Sequence, residues 1–198
     1  MGKKRPPWHE DALAAVRTLR NNGVISHPTD TVWGLAADAT SAEGVQRIFD
    51  IKQRSISETL LMLVDSEQEL ELLLPNLPEA AWELLEVSDR PVTLVGTIGS
   101  RVRYTFAPGM VRDDESIAVR LVTDPYLRFL IHGVGAPLAS TSANLAKQPT
   151  PRTFNEVNQQ VTSAVDYNAA YRRDELNSNQ SSMLVLFDDA GRMRILRS

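Results

Sequence analysis

The strongest constraint in this sequence is an alternation. Short apolar runs, too brief for helices, repeatedly follow segments that carry helical periodicity and explicit start and stop signals. Asp11 to Asn21 places Ala12, Leu13, Val16 and Leu19 on one helical face, with Gly23 as the expected left-handed stop. Val24 to His27 is a strand-like run that ends at Pro28 and opens into Thr29-Asp30-Thr31. Thr40 with Glu43 forms a capping-box pattern for a helix carrying Val45, Ile48 and Phe49, which delivers Lys52 and Arg54 at or just beyond its end. Leu60 to Val64 is a second strand, Ser66 with Glu69 caps the next helix, and Pro78 begins another through Leu85. Val92 to Val95 and Ile117 to Arg120 read as strands, Asp124-Pro125 starts a helix through His132, and Leu138 to Ser140 is a strand ending at a hydroxyl-rich loop. Thr153 with Glu156 marks one more helix start, and Met183 to Phe187 with Met193 to Leu196 reads as a terminal hairpin. The pattern predicts an α/β fold with a mixed sheet and flanking helices.

Composition narrows the chemistry. At 198 residues the chain fits a single domain, with a core over about residues 10–198 and residues 1–9 as a loosely docked N-terminus. It contains no cysteine, which removes disulfides, thiolate metal sites and a cysteine nucleophile. His9, His27 and His132 are too scattered to suggest a metal cluster, so any magnesium is expected to rest on a substrate's phosphates. A net charge of −4 argues against a domain that grips nucleic acid mainly through its phosphates. The basic residues Lys3, Lys4 and Arg5, and Arg192, Arg194 and Arg197, read as solvated ends. No run approaches the roughly eighteen apolar residues of a membrane span, and the N-terminus lacks a leader's apolar stretch, so a cytoplasmic protein is expected. The polar segment Arg172 to Ser182 reads equally as a flexible lid or a plain loop.

Three polar clusters stand where strands or helices meet loops, the usual ligand position in α/β proteins. Thr29-Asp30-Thr31 offers two hydroxyls and a carboxylate, although such residues also build ordinary turns. Lys52 and Arg54 project to one side if the backbone there is extended, and otherwise simply complement a helix end. Ser140-Thr141-Ser142-Ala143-Asn144 is the hardest to dismiss, because a helix cap needs one such group and this run supplies four. Arg120, at a strand end, adds a forked donor for a carboxylate or phosphate. Neither a Walker loop nor a dinucleotide fingerprint is present, since Gly133-Val134-Gly135 lacks the third glycine and follows a helix.

Taken in order, HPTDTVWGL, IKQR, SIAVRL and PLASTSAN followed by PTPRTFNEV resemble the YrdC/TsaC family of threonylcarbamoyl-adenylate synthases, from about Val24 to Val157 with an echo at Ser181-Ser182. The resemblance implies a twisted, open α/β fold with a concave site, in the short form without an additional C-terminal domain. It implies condensation of L-threonine, bicarbonate or carbon dioxide, and ATP to threonylcarbamoyl-AMP and pyrophosphate, with magnesium bridging phosphates. A separate transferase complex then carries the threonylcarbamoyl group to adenosine in tRNA. On this sequence Lys52, Arg54, Ser142 and Asn144 match the motifs expected to hold phosphates. Thr29, Thr31 and Arg120 match positions near threonine, with Ser140 and Ser182 as further contacts.

Two departures stand out. Glu58 occupies a position where the family usually has lysine, and Ser88-Asp89-Arg90 replaces Trp-Pro-Gly before Pro91-Val92-Thr93. A carboxylate about 4 Å from a phosphate is unfavourable by roughly 1–4 kcal/mol. Rival readings are a non-catalytic RNA-binding or ribosome-maturation module on the same fold, a carbamoyl transferase of the hydrogenase-maturation kind, and a degenerate synthase.

Overall fold

The structure, a computed structural model, describes residues 5–55, 60–175, 181–188 and 191–197. Helix α1 (His9–Arg20) buries Ala12, Ala15, Val16 and Leu19, and leads through a turn into strand β1 (Ile25–His27). β2 (Gly34–Asp38) returns antiparallel to β1, and α2 (Ala42–Lys52) follows. Next come β3 (Leu61–Val64), α3 (Glu67–Leu73), α4 (Glu79–Val87), β4 (Val92–Thr97), β5 (Ser116–Leu121), α5 (Pro125–Val134) and β6 (Leu138–Ser142). A single 3-10 turn at Phe154–Glu156 precedes α6 (Gln159–Ala164), β7 (Tyr167–Asn168), β8 (Met183–Phe187) and β9 (Met193–Arg197).

Among the described residues nine strands form one mixed sheet in the order β7-β1-β2-β6-β3-β5-β4-β8-β9. β3 lies parallel to β5 and antiparallel to β6, which places the strands carrying Arg120 and Ser140 on either side of it. Successive side chains alternate between the two faces. One face, with Met62, Val64, Leu94, Val119, Ala139 and Val185, packs against Val45, Ile48 and Phe49 of α2 and Leu70 and Leu73 of α3. The other is covered by α1 and α5 over part of its width, through Leu19, Tyr126, Leu127, Leu130 and Ile131 on Ile25, Ala36 and Leu138. The partners of those strand residues further along the sheet carry the polar groups of the site described below.

Several local signals resolve differently from the sequence reading. The left-handed residue after α1 is Asn22, at φ 60°; Gly23 is needed for space, since a Cβ there lies 2.8 Å from the Thr18 carbonyl oxygen. The cap of α2 is Ser41, whose Oγ accepts from the Gly44 N–H at 3.0 Å, because Thr40 spends both its N–H and hydroxyl on Asp38 Oδ1. Thr153 caps nothing: Glu156 turns back to the Arg152 backbone N–H and guanidinium, and α6 begins later under an Asn158 cap. β2 escaped notice because Gly-Leu-Ala-Ala-Asp has little strand propensity; its pairing to β1 and β6 overrides that.

Gly133-Val134-Gly135 has a purely structural use. Gly135 is the left-handed cap of α5 at φ 81°, and Gly133 lets α1 approach, since a Cβ there lies 2.7 Å from Val16 Cγ2. Gly133→Ala should gain roughly 1 kcal/mol of helix propensity. Overpacking against the stiff valine should cost about 1–3 kcal/mol. Urea denaturation should therefore show a lower midpoint for the variant; a higher midpoint would contradict this packing.

Candidate active site

The uncovered part of the sheet forms the floor of a concave cavity. Alternate residues of three adjacent strands face it: Leu61 and Leu63 from β3, Ala118 and Arg120 from β5, Ser140 and Ser142 from β6. The β1–β2 loop supplies one wall through Thr29 and Thr31, and Ser181, Ser182 and the β9 residue Arg197 supply another. The hydroxyl run is therefore strand, not loop, through Ser142, which pairs with Gly34 of β2. Pairing fixes the spacing of its hydroxyls.

Lys52 and Arg54 do not project together. Gln53 between them is left-handed, at φ 52° and ψ 46°, and separates their directions. Lys52, only 3% exposed, is not among the cavity-lining residues. Its ammonium donates to the backbone carbonyls of Ser142 (2.6 Å) and Asn144 (2.7 Å), with Asn144 Oδ1 at 3.3 Å. Ser142 Oγ in turn donates to Asn144 Oδ1 at 2.5 Å, and the Asn144 amide donates to the carbonyls of Leu145 and Gln148. The lysine and asparagine thus shape the turn behind the wall, while Arg54 and Ser142 face the cavity.

Thr29 has a similar inward role. Its Oγ1 accepts from the N–H groups of Thr31 and Val32, both at 3.0 Å, and bonds the Val32 carbonyl at 2.7 Å, which ties the loop into a knot. Thr31 accepts from the Arg120 guanidinium at 3.2 Å, and Arg120 also pairs with Asp30. On the opposite wall Ser182 Oγ hydrogen-bonds Thr93 Oγ1 at 2.7 Å, and the Ser182 carbonyl accepts from Arg197 at 3.1 Å.

The electrostatics are one-sided. Arg54, Arg112, Arg120 and Arg197 line the cavity, and among the described residues no aspartate, glutamate or histidine does. Burial, and then the charge of Arg54, pushes the Arg197 pKa below its ordinary value, which places the two cations within each other's field. The cavity's mixture of guanidinium forks and hydroxyls suits phosphate and carboxylate oxygens. Among the described residues no group of three or more His, Cys, Asp or Glu side chains is placed to hold a metal ion. This donor set fits a magnesium ion carried on phosphates better than one caged by protein.

The sequence reading missed Arg112 and Arg197, and offered the Asp30 carboxylate only as part of the Thr29-Asp30-Thr31 cluster. Arg197 looked like a solvated end, and only the pairing of β8 with both β4 and β9 brings it to the cavity. Glu58 and residues 176–180 of the polar segment lie outside the described residues. Arg172 at the start of that segment is bound to Asp124 at 2.9 Å.

The profile of the Sua5/YciO/YrdC family, described as "Telomere recombination", matches residues 17–198. The chain belongs to this family. It is 34% identical over 164 residues to a threonylcarbamoyl-AMP synthase of Marinobacter nauticus, covering 81% of this chain and 83% of that one. The structure of P. abyssi Sua5 complexed with L-threonine superposes with a TM-score of 0.80 at 25% identity, over 98% of this chain. This chain spans 55% of that one. E. coli YciO shares the fold, with a TM-score of 0.78 at 19% identity, over 98% of this chain and 91% of that one. The twisted open mixed sheet of the Sua5/YrdC fold is therefore the architecture of this chain.

His27, at the end of β1, is fully buried beside this site, with Nδ1 3.1 Å from the Pro28 carbonyl. Burial lowers its pKa from 6.5 to about 4. Because the unfolded chain binds this proton first, stability should fall as pH drops from about 6.5 to about 4, by at most about 3 kcal/mol. Urea titrations at both ends of that window should give a smaller pH-dependent loss for His27→Gln than for the wild type. Equal losses would remove His27 as a cause.

Proposed function

We propose that this chain is a threonylcarbamoyl-AMP synthase, a nucleotidyltransferase acting on L-threonine, bicarbonate or carbon dioxide, and ATP. The observation that carries the reading is the cavity itself: four arginines and a strand-borne row of hydroxyls on an open sheet face, in a family whose relatives include synthases of that name. The L-threonine complex of P. abyssi Sua5 supports an amino-acid pocket on this fold.

The chemistry needs no protein nucleophile. The threonine amine attacks the carbon of carbon dioxide, forming the N–C bond and releasing a proton. A carbamate oxygen then attacks the α-phosphorus of ATP, and pyrophosphate leaves as the P–O bond breaks. The protein's task is to align the reacting atoms and stabilise charge that builds on phosphate oxygens. Arg54 and Arg197 suit phosphate, with Ser140, and Ser142 once its hydroxyl turns from Asn144, as neutral donors, while Arg120 and Thr31 suit the amino acid's carboxylate. Lys52, Asn144 and Thr29 act by fixing the backbone that presents these groups, and Thr93 by holding Ser182. Magnesium, bound through the nucleotide's phosphates, supplies further charge neutralisation. The cavity draws on residues from Thr29 to Arg197, which supports one catalytic unit over about residues 10–198. The product would pass to a tRNA-modifying transferase, in keeping with a cytoplasmic setting. A net charge of −4 favours hand-over of the product over strong direct tRNA binding.

Mass spectrometry of protein incubated with ATP, magnesium, L-threonine and bicarbonate should reveal threonylcarbamoyl-AMP, and omission of any one substrate should abolish it. Its absence from the complete mixture, with the protein folded, would overturn the assignment in favour of a degenerate or RNA-binding relative. Arg54→Ala and Arg197→Ala should each raise the KM for ATP about tenfold or more, as expected for loss of a charged hydrogen bond. An unchanged KM in both would remove the arginines from the nucleotide site.

A further inference from the structure

We infer that β9, at the open edge of the sheet, is a docking site for an extended acidic segment of a partner protein, which adds to the sheet as a further strand beside Met193–Arg197. The sheet edge alone carries this, so it does not depend on the reaction proposed above.

The backbone comes first. Among the described residues β9 is the last strand of the sheet, paired on one side with β8 and open on the other. In an antiparallel ladder, residues that bond the partner strand alternate with residues whose N–H and C=O point the other way. The Asp188 N–H donates to the Arg192 carbonyl at 3.1 Å, which sets the alternation. Arg194 therefore faces β8, and the backbone groups of Met193 and Ile195 point outward. These are the donors and acceptors that an added strand takes up.

One face of this edge is apolar. Val185, opposite Ile195, is fully buried in the core beneath the helices, yet Ile195 is 49% exposed and Met193 52%. The helical layer ends one strand short of the sheet, and it leaves bare two apolar side chains that a neighbouring strand would cover.

The other face carries charge. Arg194 lies opposite Leu186, and Arg197 opposite Leu184. Arg192 is paired with Asp188 across the hairpin, but neither Arg194 nor Arg197 has an acidic partner among the described residues. This decides between occupants. The antiparallel register in which two copies use both Met193 and Ile195 sets Arg194 directly opposite itself, and like charges so placed are destabilising. The same arginine favours an acidic strand. The segment selected by this edge therefore alternates, with apolar residues beside Met193 and Ile195 on the helix side and glutamate or aspartate beside Arg194 on the cavity side. Leu196 and Arg197 line the cavity as well, so a docked partner lies against the cavity wall.

Three capped peptides test the site when titrated into the protein and followed by amide NMR and hydrogen exchange. The first is Glu-Val-Glu-Val-Glu-Val-Glu, the second has lysine in place of every glutamate, and the third is the first with proline in place of its central valine. Strand addition predicts that the first binds more tightly than either of the others and slows exchange at the Met193 and Ile195 amides. Arg194→Glu, a change at an exposed side chain, should weaken that binding about fivefold or more. Equal binding of the three peptides, or binding of none, would overturn the docking site. An acidic peptide that shifts only cavity residues such as Ser140 and Ser142, and is displaced by inorganic pyrophosphate, would be an anion in the cavity and would overturn it too. Slowed exchange at Met193 and Ile195 as the concentration of protein alone rises would give the edge to a second copy instead of an acidic partner.

Discussion

The buried ammonium of Lys52 is the contact on which the geometry of the cavity depends. Taking an ammonium out of water is costly unless oxygens replace its hydration, and here the replacements are the backbone carbonyls of Ser142 and Asn144. The tie runs both ways, since the Lys52 carbonyl accepts from the Ala146 N–H at 3.1 Å. The C-terminal end of α2 is thereby fastened to the C-terminal end of β6. The next residue, Ala143, donates to the Trp33 carbonyl at 2.8 Å, so the same turn also anchors the loop that carries Thr29 and Thr31. One buried charge thus fixes the end of β6 in the floor relative to the wall that carries Thr29 and Thr31.

With that frame in place, the side chains divide their work. Lys52, Asn144, Thr29 and Thr93 look inward and spend their polar groups on backbone or on one another. Arg54, Arg112, Arg120, Arg197, Ser140 and Ser142 look into the cavity. This separation suits a reaction without a protein nucleophile, because catalysis then rests on rigid positioning of the groups that face the cavity.

Much of this was legible in the sequence, and the limits have physical causes. Strand and helix alternation, the Asp124-Pro125 and Ser66 caps and the terminal hairpin were readable because they depend on local chemistry. The order of motifs from about Val24 to Val157 pointed to the family, which the match over residues 17–198 establishes. What could not be read depends on pairing between distant segments. β2 is held by its neighbours and not by propensity, Arg197 reaches the cavity through the register of β8 with β9, and Lys52 turns away from Arg54 because Gln53 is left-handed. A spacing of two residues indicates a shared direction only where the backbone is extended.

The most direct test of this account is a crystal structure of the protein with L-threonine and a non-hydrolysable ATP analogue. The account predicts phosphate oxygens within hydrogen-bonding distance of Arg54, Arg197 and Ser142, with Lys52 still bound to the carbonyls of Ser142 and Asn144. Lys52 released from those carbonyls and coordinating phosphate, with the turn from Ser142 to Asn144 rearranged around it, would contradict the claim that the buried ammonium builds the site from behind.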